Sequence, residues 1–151
     1  MKIPKKHNWE VIKKESQSRI PLEIPHEKLV QFYDYAQELM AFSRYNDAEA
    51  VLFVLSLLAP DRPHIWISLG IARGKIEEDS ELALLAFDQA ILLAPNLVEP
   101  YYYAASLAYL KNDKERSLKY LSELLEKGIP QKEDAHLWAA AKLLMEELSH
   151  G

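Results

Sequence analysis

The sequence contains no cysteine, so it offers neither disulfide bonds nor thiolates for metal binding or nucleophilic catalysis. Only four of its 151 residues are glycine, and no low-complexity tract occurs, which argues against a long flexible linker. No apolar run approaches the roughly 18 residues that a membrane-spanning helix needs, so membrane insertion is not predicted. The basic stretch at residues 1–8 lacks a following apolar segment and does not resemble a secretory signal.

Patterns that carry chemistry are also missing. The five histidines include no pair spaced by four residues, so neither a metal site nor a cofactor is predicted. No glycine-rich loop follows a predicted strand, and the formal net charge of −5 argues against a nucleic-acid partner. The acidic run at residues 77–79 lies in a predicted inter-helix turn, where a solvated surface is much commoner than a pair of catalytic carboxylates. We therefore expect a binding protein and not an enzyme.

What the sequence does contain is a ladder of small and bulky residues in its centre. The ladder consists of Trp66, Leu69, Gly70, Ala83, Phe87, Ala90 and Pro95. Steps of three and four residues put Ala83, Phe87 and Ala90 on one helix face, and Pro95 ends that helix. This spacing is the signature of the tetratricopeptide repeat (TPR), a helix-turn-helix unit of about 34 residues.

One such unit cannot bury its own apolar face, so neighbouring units are expected. Weaker forms of the ladder before and after the central one give three tandem units at 29–62, 63–97 and 98–131. The predicted fold is an all-α, right-handed superhelix of TPR units. It is preceded by a segment at 1–28 with a short helix near 9–18, and closed by a capping helix at 132–151.

Capping residues in the sequence predict where several helices start. Asn46 and Asn112, each followed three residues later by a glutamate, are predicted to cap second helices, and Asn96 to cap a first helix.

The helix at 47–59 is apolar nearly all round, which predicts burial on more than one side or a surface for self-association into a homodimer.

The first helix of each unit lines the concave side of such a stack. Phe32, Tyr35, Trp66, Leu69 and Tyr101 are predicted to face the partner helix. The open face is predicted to form an apolar and aromatic groove that binds a peptide. Its residues are Val30, Tyr33, Gln37, Met40, His64, Ile67, Ile71, Tyr102, Ser106 and Tyr109. The alternative is that the N-terminal segment or the last helix fills this groove.

The groove lacks the Lys, Arg and Asn side chains with which TPR domains grip a C-terminal carboxylate. Apolar and aromatic residues such as Tyr33, Ile67 and Tyr102 occupy the open face of the first helices instead. An extended segment with small apolar anchors is therefore the favoured ligand.

Four segments carry a closer resemblance. They are Leu29-x-x-Phe32-Tyr33, Ser43-Arg44-Tyr45-x-Asp47-Ala48, Ser68-Leu69-Gly70-x-Ala72-Arg73 and Glu99-Pro100-x-x-x-Tyr103-Ala104-Ala105. Through them residues 29–131 resemble the class II chaperones of bacterial type III secretion, of the LcrH/SycD type.

The resemblance implies a cytoplasmic protein that binds a secreted client, either a hydrophobic translocator or a needle-type subunit. It implies that a short proline-bounded client segment lies in the concave groove. By position, Tyr33, Gln37, Met40, Ile67, Ile71 and Tyr102 would line that groove. The alternative is a general TPR adaptor outside secretion, and the genes beside this one would separate the two.

Overall fold

The computed structural model describes residues 24–76, 78, 80–128 and 130–151. These residues form seven α-helices and one short 3-10 helix, with no strand among them. The α-helices are α1 (His26–Ala41), α2 (Tyr45–Leu58), α3 (Pro63–Lys75), α4 (Ser80–Leu93), α5 (Val98–Leu110), α6 (Lys114–Glu126) and α7 (Ala135–His150), and the 3-10 helix is Lys132–Asp134. The predicted short helix near 9–18 lies outside the described residues.

The helices pack in consecutive pairs. α1 packs on α2, α3 on α4 and α5 on α6, while α2 contacts α3 and α4 contacts α5. α7 closes the described stack by packing on α5 and α6. This arrangement confirms the predicted all-α TPR fold.

The central unit closes around a contact that only glycine permits. A Cβ on Gly70 would lie 2.6 Å from Phe87 Cε1, closer than any real contact of this kind. The Phe87 ring is 2% exposed and stacks on Tyr103, with 6.3 Å between the ring centroids. Helices α3 and α4 can therefore approach each other closely because Gly70 has no side chain.

A repeated hydrogen bond joins each unit to the one before it. Trp66 Nε1 donates to the carbonyl of Pro60 at 2.9 Å, and Tyr101 Oη donates to the carbonyl of Pro95 at 3.0 Å. Both rings therefore fix the proline turn that closes the preceding unit. Phe32, at the corresponding position of the first unit, has no such donor.

Phe32 and Tyr35 are more exposed than the prediction that they face the partner helix implies, although Phe32 does line a cavity together with residues of α2. Their side chains are 50% and 49% exposed, and the buried residues of α1 are Ala36 and Leu39. The reason lies in the stack: no earlier unit among the described residues covers the start of α1. The corresponding ring in the third unit, Tyr101, is 2% exposed and shares a core cluster with Ala83 and Phe87 of the unit before it.

The predicted caps at Asn46, Asn96 and Asn112 are wrong. Asn112 adopts a left-handed backbone with φ of 60°, as Ser43 does with φ of 59°, and both residues turn the chain at the end of a first helix. The cap of α6 is Asp113, whose side chain accepts a hydrogen bond from the Arg116 amide at 3.1 Å. Asn46 lies inside α2, and Asn96 lies two residues before the start of α5.

Polar side chains tie the second helices to their neighbours. Arg73 of α3 is 9% exposed, and it donates to Glu49 Oε1 of α2 at 3.2 Å and to the Leu82 carbonyl of α4 at 3.3 Å. Tyr120 Oη of α6 donates to Asp88 of α4 at 2.7 Å. Burial and this bond raise the pKa of the Tyr120 phenol. These bonds connect each helix pair to the next and so fix the positions of the first helices.

Candidate functional site

The wall consists of the first helices α1, α3 and α5, continued by α7. α1 and α3 are joined through Ser68, which is 6% exposed. Its hydroxyl lies 2.9 Å from Tyr33 Oη and accepts a hydrogen bond from Gln37 Nε2 at 2.9 Å. Two predicted groove residues are therefore held in place by a third that the sequence analysis did not assign to the groove.

An apolar cavity lies between the first turns of α1 and α3, and we call it the N-terminal cavity. Its volume is about 340 Å³. It is lined by His26, Leu29, Val30, Tyr33, Arg62, Pro63, His64 and Ile65. Three predicted groove residues, Val30, Tyr33 and His64, therefore meet at one place.

A second apolar cavity lies between the C-terminal halves of α5 and α7, and we call it the C-terminal cavity. Its volume is about 360 Å³. It is lined by Tyr102, Ser106, Tyr109, Leu110, Ala140, Leu143, Leu144 and Glu147. Three more predicted residues, Tyr102, Ser106 and Tyr109, meet here, and α7 supplies the other half of the lining.

A hydrogen bond and a tilted ring contact hold two aromatic side chains of this second cavity. Tyr109 Oη donates to Glu147 Oε1 at 2.7 Å, and this bond is the main cause of a raised pKa of the Tyr109 phenol. The rings of Tyr102 and Tyr103 meet at a tilt, with 5.7 Å between their centroids. Tyr103 in turn has a raised pKa, first through burial and then through Glu99 and Tyr102.

The remaining predicted groove residues line neither cavity. Gln37 belongs to the Ser68 network, while Met40 and Ile71 are half-buried and pack on the two core clusters. Ile67 is only 3% exposed, so the expectation that it faces an open groove is wrong. The physical reason is the central place of α3, which contacts α2, α4 and α5 and so has little free surface.

A larger cavity of about 550 Å³ lies between the loop at 94–97 and the start of α7. Its lining mixes polar and apolar residues, among them Lys127, Asp134 and Trp138. It joins none of the predicted groove residues.

Within the part of the chain that the structure describes, no group of three or more His, Asp or Glu side chains could hold a metal ion. No described helix is long and apolar enough to cross a membrane. The two apolar cavities are concave sites of the kind that accept apolar groups.

No protein-family model matches this sequence, and no curated protein matches it. Solved structures do match. The Yersinia enterocolitica type III secretion chaperone SycD, in complex with a peptide of the translocator YopD, is 20% identical, with a TM-score of 0.78 over 85% of this chain and 97% of that one. PcrH of Pseudomonas aeruginosa, in complex with the chaperone binding region of PopD, is 18% identical, with a TM-score of 0.79 over 85% of this chain and 96% of that one.

This chain has the fold of the type III secretion translocator chaperones. A type III secretion complex from Aeromonas hydrophila extends the likeness, with a TM-score of 0.81, 16% identity and coverage of 93% of this chain and 96% of that one. At these identities the likeness is one of fold. The match extends over almost the full length of each of these chains.

Proposed function

We propose that this protein is a non-catalytic cytoplasmic chaperone of type III secretion. Its concave groove binds an extended segment of a client, either a hydrophobic translocator or a needle-type subunit, and so keeps the client soluble and ready for secretion. The observation that carries the proposal is the pair of apolar cavities on the wall of first helices. SycD and PcrH, which share the fold, are each bound to a segment of a translocator.

The wall suits this task for a physical reason. Side chains of an extended peptide alternate in direction, so apolar anchors can enter the cavities while the backbone stays near the wall. The Tyr33 and Gln37 side chains are already fixed through Ser68, and Tyr109 is fixed through Glu147. Because these groups are ordered before the peptide arrives, binding loses less conformational entropy.

Val30→Asp and Leu143→Asp test the two cavities separately. Val30 is 42% exposed in the N-terminal cavity and Leu143 is 67% exposed in the C-terminal cavity, so folding should change little. Each aspartate would put an uncompensated charge where an apolar client side chain must sit. We expect each to weaken client binding by about tenfold or more. The measurement is co-purification with co-expressed translocators or needle-type subunits, beside a thermal melt.

Leu92→Asp is the matched control. Leu92 is 77% exposed on α4 and lines none of the cavities described above, so this variant should bind the client as the wild type does. Full client retention by both cavity variants would show that the groove is not the site. A large fall in the melting temperature of both would show that these side chains are covered by the protein's own chain.

We also propose that the protein forms a homodimer through an apolar face of the first unit. This face consists of Phe32, Val54, Leu57 and Leu58, which are between 40% and 65% exposed. Phe32, Val54 and Leu58 border an apolar cavity of about 400 Å³ together with Ala50, Val51 and Leu55. Apolar patches of this kind on a soluble protein commonly mark association sites.

Sedimentation velocity tests the dimer. We expect the wild type to sediment as a dimer at tens of micromolar and Val54→Asp to sediment as a monomer with unchanged helicity, because the charge would be buried at the interface. A wild type that remains monomeric at this concentration would contradict the proposal.

A further inference from the structure

We propose that the groove carries positive charge at one end and negative charge at the other. It would therefore select a client segment with an acidic residue at one end and a basic residue at the other. This inference rests on the proposed function and names the chemistry of the segment. The N-terminal cavity is lined by one arginine and two histidines, Arg62, His26 and His64, with no acidic residue among its described lining. In the C-terminal cavity the one charged residue of the described lining is Glu147.

Among the residues that the structure describes, no strong ion pair neutralises Arg62 or Glu147. Arg62 lies 3.9 Å from Asp61, but both side chains are more than half exposed, at 51% and 80%, and such a pair contributes little. Glu147 accepts a hydrogen bond from Tyr109 through Oε1, which leaves Oε2 available to a ligand. Both charges can therefore interact with a bound peptide.

At each cavity the helix dipoles add charge of the same sign as the side chains. The N-terminal cavity lies at the start of α1 and α3, where the helix dipole is positive, and the first turn of α3 holds no acidic residue. In the C-terminal cavity, Tyr109 and Leu110 lie in the last turn of α5 and Glu147 in that of α7, where the dipole is negative, and the last turn of α5 holds no basic residue. Glu27, Lys111 and His150 lie near these helix ends but line neither cavity, so they offset the polarity only in part.

Charge complementarity then fixes the direction of the bound segment. An acidic side chain beside the first apolar anchor would meet Arg62, and a basic side chain beside the second anchor would meet Glu147. The reversed segment would place like charges together at both ends. Because these charges lie at the solvent-exposed rim, they act mainly on specificity and on the rate of association.

A displayed library of random short peptides tests the proposal on the full-length protein. We expect the enriched peptides to carry apolar anchors with an acidic residue toward one end and a basic residue toward the other, always in the same order. A synthetic peptide of this pattern should bind about fivefold more tightly than the same peptide with the two charges exchanged. The difference should shrink at high ionic strength.

The variant Arg62→Glu combined with Glu147→Lys reverses both ends and should invert the preference. Its melting temperature should stay near that of the wild type, because both side chains are on the surface. Enrichment of apolar peptides with no charge order, or an order unchanged in the reversed variant, would overturn the polarity and leave the proposed function standing. If no peptide is enriched, or if Val30→Asp and Leu143→Asp keep the enriched peptides, both proposals are overturned.

Discussion

Leu69→Asp is expected to abolish cooperative folding. Leu69 has no exposed surface and packs in one core cluster with Leu52, Leu55 and Ala72. The substitution removes a fully buried side chain, which costs about 2–5 kcal/mol, and adds the cost of burying an unpaired charge, which is several kcal/mol more. The sum is comparable with the whole stability of a domain, about 5–15 kcal/mol. Circular dichroism during heating should therefore show reduced helicity and no sharp transition.

The variant Leu92→Asp serves as its control, since the same change occurs at a side chain that is 77% exposed. We expect its melt to match that of the wild type within a few degrees. A cooperative melt of Leu69→Asp at a similar temperature would mean that the central unit is not held together by this cluster.

Gly70→Val is expected to lower the free energy of unfolding by about 3 kcal/mol, at the upper end of the ~1–3 kcal/mol that overpacking of a closed core typically costs. The added Cβ would lie within 2.8 Å of three atoms of the Phe87 ring. That ring is 2% exposed and is stacked on Tyr103, so it has little room to withdraw. Chemical denaturation followed by circular dichroism measures the change.

Two further variants show whether this close approach is the cause. Gly74 is in the same helix, but a Cβ there would meet Leu107 at 3.6 Å, an ordinary contact. Gly74→Ala should therefore stabilise the protein by up to about 1 kcal/mol through helix propensity. Phe87→Leu should recover part of the loss when it is combined with Gly70→Val. If Gly70→Val and Phe87→Leu change the free energy of unfolding additively, this explanation is contradicted.

The fold could be predicted from the sequence because its signal is local and repeated. The spacing of Ala83, Phe87 and Ala90 reports a helix face directly, and Pro60 and Pro95 mark the ends of units. The helix bounds followed closely from these marks. The caps did not, because Asn112 can either cap a helix or adopt a left-handed turn, and only the length of the actual turn decides between these roles.

The groove was only partly predictable, since helical spacing tells which side chains share a face and not what covers that face. Ile67 shares a helix with His64, but the flanking helices enclose the former and leave the latter exposed. Ser68 follows His64 by four residues and precedes Ile71 by three, so spacing alone could have placed it on the wall. The part played by Leu143 and Glu147 could not be seen, because it depends on how α7 packs against α5.

Helix α7 both closes the described stack and lines half of the C-terminal cavity, and this has a consequence for how such a protein can change over evolution. The helix packs on the core through Ala141, Leu148 and the partly buried side chains around them, while Leu143 and Glu147 stay exposed on its other side. Substitutions on that outer side alter one half of the C-terminal cavity without disturbing the repeats that hold the molecule together. The element that ends the stack is thus also the element most free to diverge, so a new client can be accommodated without loss of the fold.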